Sequence, residues 1–219
     1  MAPVVPNPDA IKTFRTAAAF ERWLAAQHDR ATEIWVKVHK KDSGLPSVTT
    51  AACLEVALCW GWIDGQRKSL DGQSFLQRYS PRRTRSLWSQ INRDHIARLT
   101  RAGRMTPHGQ RQVDLAKADG RWAAAYAPIR SATVETIPPD LRQEIEADAQ
   151  ARATFATLGR MNLFALTFRV NNMKTAAGRA RKIANLVAML GRGETVVPER
   201  PTMPAASGAA KARGKAPRK

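Results

Sequence analysis

Residues 49–65 read Thr-Thr-Ala-Ala-Cys-Leu-Glu-Val-Ala-Leu-Cys-Trp-Gly-Trp-Ile-Asp-Gly. Ala51, Leu54, Leu58 and Trp62 form one apolar stripe at helical spacing, and Ala52, Val56, Cys59 and Ile63 form another. A helix that is apolar on most sides is a buried one. Thr49 or Thr50 is its N-cap. Gly61 either permits close backbone approach or ends the helix, and Gly65 makes a turn after Asp64. Glu55 is the single charge before Asp64. An unpaired buried carboxylate is costly, so Glu55 must reach solvent or a basic partner. The flanking chain has to cover this central helix.

Downstream, Gln66 to Pro81 reads as strand, Asp71-Gly72 turn and strand, a hairpin signal, with Pro81 stopping the second strand or confining it to an edge. Upstream, Glu33 to Lys41 alternates Trp35, Lys37 and His39 with Ile34, Val36 and Val38, the pattern of a half-buried strand. Phe20, Trp23, Leu24 and Gln27 mark an amphipathic helix capped by Thr16. After the hairpin, Ser86 to Ile91 is a short helical segment. Asn92 or Asp94 caps the next helix, with Ile96 and Leu99 inward, Arg93, Arg98 and Arg101 outward, and Gly103 as its stop. Thr106-Pro107 opens another that runs to Gly120. Asp140 opens two short helices, and Lys174 to Leu190 is a basic amphipathic helix.

The fold class is α+β: mostly helical, with a small antiparallel sheet from about 33–40, 66–70 and 75–80 packed on the central buried helix, then a helical C-terminal region. The expected organisation is an extended lead-in at 1–13, a core domain at 14–126, a linker at 127–139, a helical region at 140–193 and a disordered basic tail at 194–219.

Net charge is +18. Residues 198–219 hold six basic residues against one acidic residue, so the body still carries +13. Such a body attracts polyanions. No apolar run reaches the ~18 residues of a membrane span. The N-terminus lacks the basic and apolar regions of a signal peptide, so a cytoplasmic protein is expected. Cys53 and Cys59 face different sides of one helix and cannot pair there. Cys59 has no histidine in its segment to activate it. His28, His39, His95 and His108 are scattered without metal-ligand spacing, and neither a phosphate-binding glycine loop nor a serine elbow is present. No metal and no cofactor are expected.

Ala-Leu-Cys-Trp-Gly-Trp-Ile-Asp-Gly at 57–65, Tyr-Ser-Pro-Arg-Arg-Thr-Arg-Ser-Leu-Trp-Ser-Gln-Ile-Asn at 79–92, Ala-Gly-Arg-Met-Thr-Pro-His-Gly at 102–109 and Ala-Lys-Ala-Asp-Gly-Arg-Trp at 116–122 resemble successive signatures of the YdeI/OmpD-associated family. The resemblance runs from about Phe14 to Leu190 and includes the C-terminal helical region from Ala151 onward. Gly178-Arg179 stands where the family tends to show a Thr-Arg pair. The resemblance implies bacteriocin or cationic-peptide protection, a porin association and a periplasmic placement, with no established reaction. A body of +13 repels cationic peptides, which argues against their direct sequestration.

Eight arginines lie between Arg78 and Arg104, against Asp94 alone. Guanidinium groups suit phosphate and carboxylate, and aromatic rings beside them can stack on a ligand. The candidate ligand-binding residues are therefore Asp64, Tyr79, Arg82, Arg85, Ser86, Trp88, Ser89 and Asn92. The leading expectation is a non-enzymatic stress or bacteriocin-protection-type protein that binds an anionic ligand or protein partner there. One alternative is a nucleic-acid-associated basic protein using the same arginines and the C-terminal tail, with Arg93, Arg98 and Arg101 adding weak nucleic-acid contacts. Another is an enzyme on a small acidic or phosphorylated substrate, for which Glu55 and Asp64 are the available bases. The plainer account of the arginines is a solvated face paired with Glu55, Asp64, Asp71 and Asp94.

Overall fold

The computed structural model describes residues 4–198, which form two compact units divided between residues 128 and 129. The first carries β1 (Ile11–Thr13), α1 (Ala17–Gln27), β2 (Ile34–His39), α2 (Thr50–Cys59), β3 (Trp62–Ser69), β4 (Ser74–Pro81), α3 (Gln90–Arg101) and α4 (Pro107–Ala118). The architecture is α+β, mostly helical beside a small sheet.

The central helix forms as its composition requires. Thr49 accepts a hydrogen bond from the Ala52 N–H, and Cys53, Val56, Ala57, Leu58 and Cys59 are all buried. α2 is apolar on most sides because it serves two cores. Cys53, Val56 and Ala57 pack with Phe20, Leu24, Ile34, Trp62 and Tyr79, while Leu58 and Cys59 pack with Trp88, Ile96, Leu99 and Val113. Each large side chain buried this way contributes about 1.5–3 kcal/mol.

The helix ends earlier than the stripes predict. Gly61 adopts φ +74°, and a Cβ there would lie 2.9 Å from the Gln112 Cγ and 3.0 Å from the His108 carbonyl oxygen. Left-handed geometry and close approach both demand glycine, so the chain breaks and re-emerges as β3. Trp62 and Ile63 therefore point to opposite faces of a strand, and Asp64, on the same face as the buried Trp62 but further along, is exposed.

The sheet order is β1-β2-β4-β3. β2–β4 and β4–β3 are antiparallel, but β1 runs parallel to β2 with Ile11 opposite Trp35, so the sheet is mixed rather than wholly antiparallel. Part of the expected lead-in is thus an edge strand; three residues are too few to show alternation. Another difference lies after β4. Ser86 to Trp88 is not helical, and α3 is one helix capped by Ser89, whose hydroxyl accepts from the Asn92 N–H. α4 starts as its Thr-Pro signal predicts. The Thr106 hydroxyl accepts from the Gly109 N–H and donates to the Cys59 carbonyl at 2.6 Å, which seats α4 on the end of α2.

The second unit packs α5 (Pro139–Ala147), α6 (Ala149–Ala156), α7 (Arg160–Asn171) and α8 (Ala176–Gly191) around Leu141, Ile145, Phe155, Leu166, Ile183 and Leu190. Two segments expected outside it belong to it. Ala132 and Ile137, from the expected linker, are buried in this core. Val197, from the expected tail, donates to the Asn162 side-chain oxygen at 2.9 Å and accepts from its amide nitrogen at 2.8 Å. Residues 199–219 lie outside the described residues.

Candidate functional site

Arg82 follows β4 directly. Pro81 pairs with Trp62, and the Arg82 N–H donates to the Gly61 carbonyl at 3.0 Å, so the residue is held where α2 passes into β3. The chain then turns tightly. The Ser86 N–H donates to the Arg83 carbonyl, and the Ser86 hydroxyl accepts from the Arg83 N–H, both at 2.9 Å. This brings the next residues back over Arg82. Nη1 donates to the Leu87 carbonyl at 3.1 Å, and the guanidinium carbon lies 3.5 Å from the Trp88 ring centroid. Trp122 packs edge-on against Trp88 at 4.9 Å.

Arg82 is 6% exposed and Trp88 is 2% exposed. Among the described residues, neither Nε nor Nη2 of Arg82 meets an acceptor, and nor does the Trp88 indole N–H. The Nε–H and one N–H of Nη2 point the same way; this is the edge with which arginine grips two-oxygen anions. Burial pulls the Arg82 pKa down to about 10, against the pull of Tyr126 and Asp64. The group stays charged at neutral pH.

Four of the expected residues converge here: Arg82, Ser86, Trp88 and Ser89. Asp64 is within electrostatic reach. Although the residue is exposed, desolvation of its carboxyl raises its pKa, opposed by its own backbone hydrogen bond and by Arg82 and Arg67. It forms no ion pair within 4.0 Å among the described residues. Three others stand apart. Tyr79 is wholly buried in the first core, where its hydroxyl donates to the Thr50 carbonyl at 3.3 Å and burial raises its pKa. Arg85 is exposed on the turn. Asn92 lies in the first turn of α3 and donates its backbone N–H to Ser89.

Two residues at this place were not among those expected. Arg121 donates Nη1 to the Ser86 carbonyl at 3.0 Å while its Nε and Nη2 hold Asp119 at 2.7 Å. Tyr126 forms a parallel bridge with Ser89, and its N–H donates to the Trp88 carbonyl at 3.0 Å. Burial raises its pKa, and a side-chain hydrogen bond with Ser89 offsets part of that. The Asp119-Gly120-Arg121-Trp122 run was visible in sequence, but its return to 86–89 is a tertiary event.

The remaining arginines behave differently. Arg78 meets Glu33 at 2.6 Å, and Arg98 meets Glu55, which Arg104 also approaches at 3.5 Å. Arg93 lies 5.3 Å over Trp122, and Arg101 is exposed. Glu55 has therefore found its basic partners. Burial pushes the Cys53 thiol up to about 12 and raises Cys59 as well, the opposite of activation. A cleft of about 320 Å³ lies nearby, lined by His28, Trp60, Trp62, Pro81, His108 and Arg111 among others. The His28 ring centroid is 3.9 Å from that of His108, a contact that sequence spacing did not show. Among the described residues, no three His, Cys, Asp or Glu are placed to hold a metal ion, and no helix is long and apolar enough to cross a membrane.

Residues 136–193 match the family described as Bacteriocin-protection, YdeI or OmpD-Associated. That stretch spans α5 to α8. Residues 12–112, and with them Arg82 and Trp88, match a Domain of unknown function (DUF8412). No curated protein and no solved structure matches the chain. The YdeI/OmpD-associated match is narrower than the resemblance in the quoted motifs, three of which fall in the DUF8412 stretch. Within the matched unit, Arg179 of the Gly178-Arg179 pair grips Asp140 through Nε at 2.6 Å and Nη2 at 2.9 Å, joining α8 to α5. The hydroxyl at the start of α8 comes from Thr175, which accepts from the Gly178 N–H.

Proposed function

We propose that this is a non-enzymatic protection-type protein whose first unit binds an anionic ligand or partner at Arg82 and Trp88. The family match of residues 136–193 supports a bacteriocin-protection-type role at family level only. The anion-binding reading is carried by the contrast between Arg82 and its neighbours. Arg78, Arg98, Arg104 and Arg121 each lie within ion-pair distance of a carboxylate. Arg82, buried more deeply than the Arg78–Glu33 pair, meets none among the described residues. A buried N–H without an acceptor costs about 1–3 kcal/mol, and more when the group is charged. A guanidinium held dry by a carbonyl and an indole face, with its two-donor edge unpartnered, is organised for an acceptor from outside the chain.

The enzyme alternative weakens because Glu55 is committed to Arg98 and Arg104. The nucleic-acid alternative loses Arg98 for the same reason. The test is a thermal-shift screen of anions on the full chain and on Arg82→Met. Anion stabilisation of the wild type that disappears in a folded Arg82→Met protein is the expected result. Equal stabilisation of both proteins would overturn the reading.

A further inference from the structure

We infer that the group taken at this site is a carboxylate, held side-on by Nε and Nη2 of Arg82, and that Asp64 is the chain's own competitor for that edge. The inference rests on the anion-binding reading above. It narrows that reading because the guanidinium has little freedom left. Nη1 is committed to the Leu87 carbonyl at 3.1 Å, and one face is covered by Trp88 at 3.5 Å. What remains is one planar pair of parallel N–H donors, complementary to a two-oxygen carboxylate.

Charge points the same way. Phosphate sites gather several cations or a series of backbone N–H groups. Here the adjacent guanidinium, Arg121, places Nε and Nη2 on Asp119 and Nη1 on the Ser86 carbonyl. Of these two guanidinium groups only Arg82 keeps an unpartnered edge, Arg83 and Arg85 being exposed on the turn, and the acid Asp64 lies within electrostatic reach, where it repels a dianion more than a monoanion. The surroundings are apolar, with Trp88, Trp122 and Ala125 in one cluster. The Trp88 N–H adds a third unpartnered donor among the described residues.

Asp64 carries the chemistry that the site would accept. It interacts electrostatically with both Arg82 and Arg67 yet is bonded to neither, and it sits exposed on β3 beside an irregularity in the β3–β4 register between Asp64 and Arg67. An arriving carboxylate has to displace its influence. Access runs past the 83–87 turn, where Arg83, Thr84, Arg85 and Leu87 are exposed and the Leu87 carbonyl is what closes on Arg82.

The test uses the full chain, with acetate and benzoate set against phosphate and sulfate at matched ionic strength and pH. Binding is followed by calorimetry and by tryptophan fluorescence, since Trp88 stacks on the guanidinium that would hold the ion. The carboxylates should bind more tightly than phosphate or sulfate in the wild type. Arg82→Lys, which keeps the charge but loses the two-donor edge, should weaken acetate by about tenfold. Asp64→Asn, an exposed position that leaves the core untouched, should tighten it several-fold. Phosphate or sulfate binding as well as acetate would overturn the carboxylate assignment while leaving the anion reading in place. An unchanged affinity in Asp64→Asn would overturn the competitor role. Absence of binding by all four anions would overturn the anion reading itself. The comparison among anions needs no variant, so a misfolded Arg82→Lys would not block it.

Discussion

Replacing Arg82 by methionine separates a binding arginine from a structural strut. Methionine keeps the unbranched stem and can still pack on Trp88, but removes the charge and all five N–H donors. The cost of keeping the charge follows from its environment. A fall from the ordinary 12.5 to about 10 corresponds to about 3 kcal/mol against the charged form in the fold. For a cation with a lowered pKa the sign is unfavourable. The cost is fully present below pH 10, and it fades between there and 12.5. Against it stand the carbonyl bond from Nη1, about 1.5–3 kcal/mol, and the stacking on Trp88, about 2 kcal/mol. The terms nearly cancel, so Arg82→Met should destabilise by less than about 2 kcal/mol. Removing one partner of a buried ion pair, by contrast, costs about 3–5 kcal/mol. Urea unfolding followed by tryptophan fluorescence reads the first unit alone, because all six tryptophans lie between residues 23 and 122. A loss above about 4 kcal/mol would show that Arg82 holds the loop together and would refute the reasoning.

Gly109→Ala should be severely destabilising, by more than about 3 kcal/mol in the same urea assay, because a Cβ there would lie 2.2 Å from the Cys59 carbonyl oxygen, and backbone cannot yield as a side chain does. Cys53 should resist alkylation in the native protein at pH 8 and react only on unfolding, since it is buried and its thiol is pushed up to about 12; mass spectrometry after timed labelling reads this directly. Asp140→Asn should lower the stability of the second unit modestly at neutral pH, monitored by far-ultraviolet dichroism. Arg179 holds the Asp140 carboxyl below its ordinary 3.8, so the contribution is present above that value and lost as the pH falls through the folded-state pKa. The mutant and wild type should converge in strong acid.

Local signals were legible wherever one short stretch contained the whole cause. Thr16 caps α1, Thr106-Pro107 opens α4, Gly103 ends α3 with φ +65°, and Asp71-Gly72 turns between β3 and β4. The boundaries that slipped depended on distant atoms. The stripe through Trp62 continues in sequence, but α2 stops because Gly61 must clear His108 and Gln112. Ile11–Thr13 reads as lead-in until β2 lies beside it. Tyr79 and Trp88 read alike as aromatic binding groups. Both are core, Tyr79 against Phe20 and Trp88 with Leu58 and Leu99, but Trp88 also stacks on Arg82.

By itself the sequence determined the α+β class, the buried central helix and the C-terminal helices, and it offered the Arg82–Asn92 segment as the place to look. Periodicity, caps and composition are properties of the chain taken a few residues at a time, so they can be read along it. Only the tertiary structure decided which arginines are neutralised. Glu33 lies 45 residues from Arg78, and Glu55 lies 43 from Arg98, so their pairing is invisible to any local window. Once those partners are assigned, Arg82 is left buried without a carboxylate among the described residues, and what read as a basic stretch becomes one guanidinium edge with a direction.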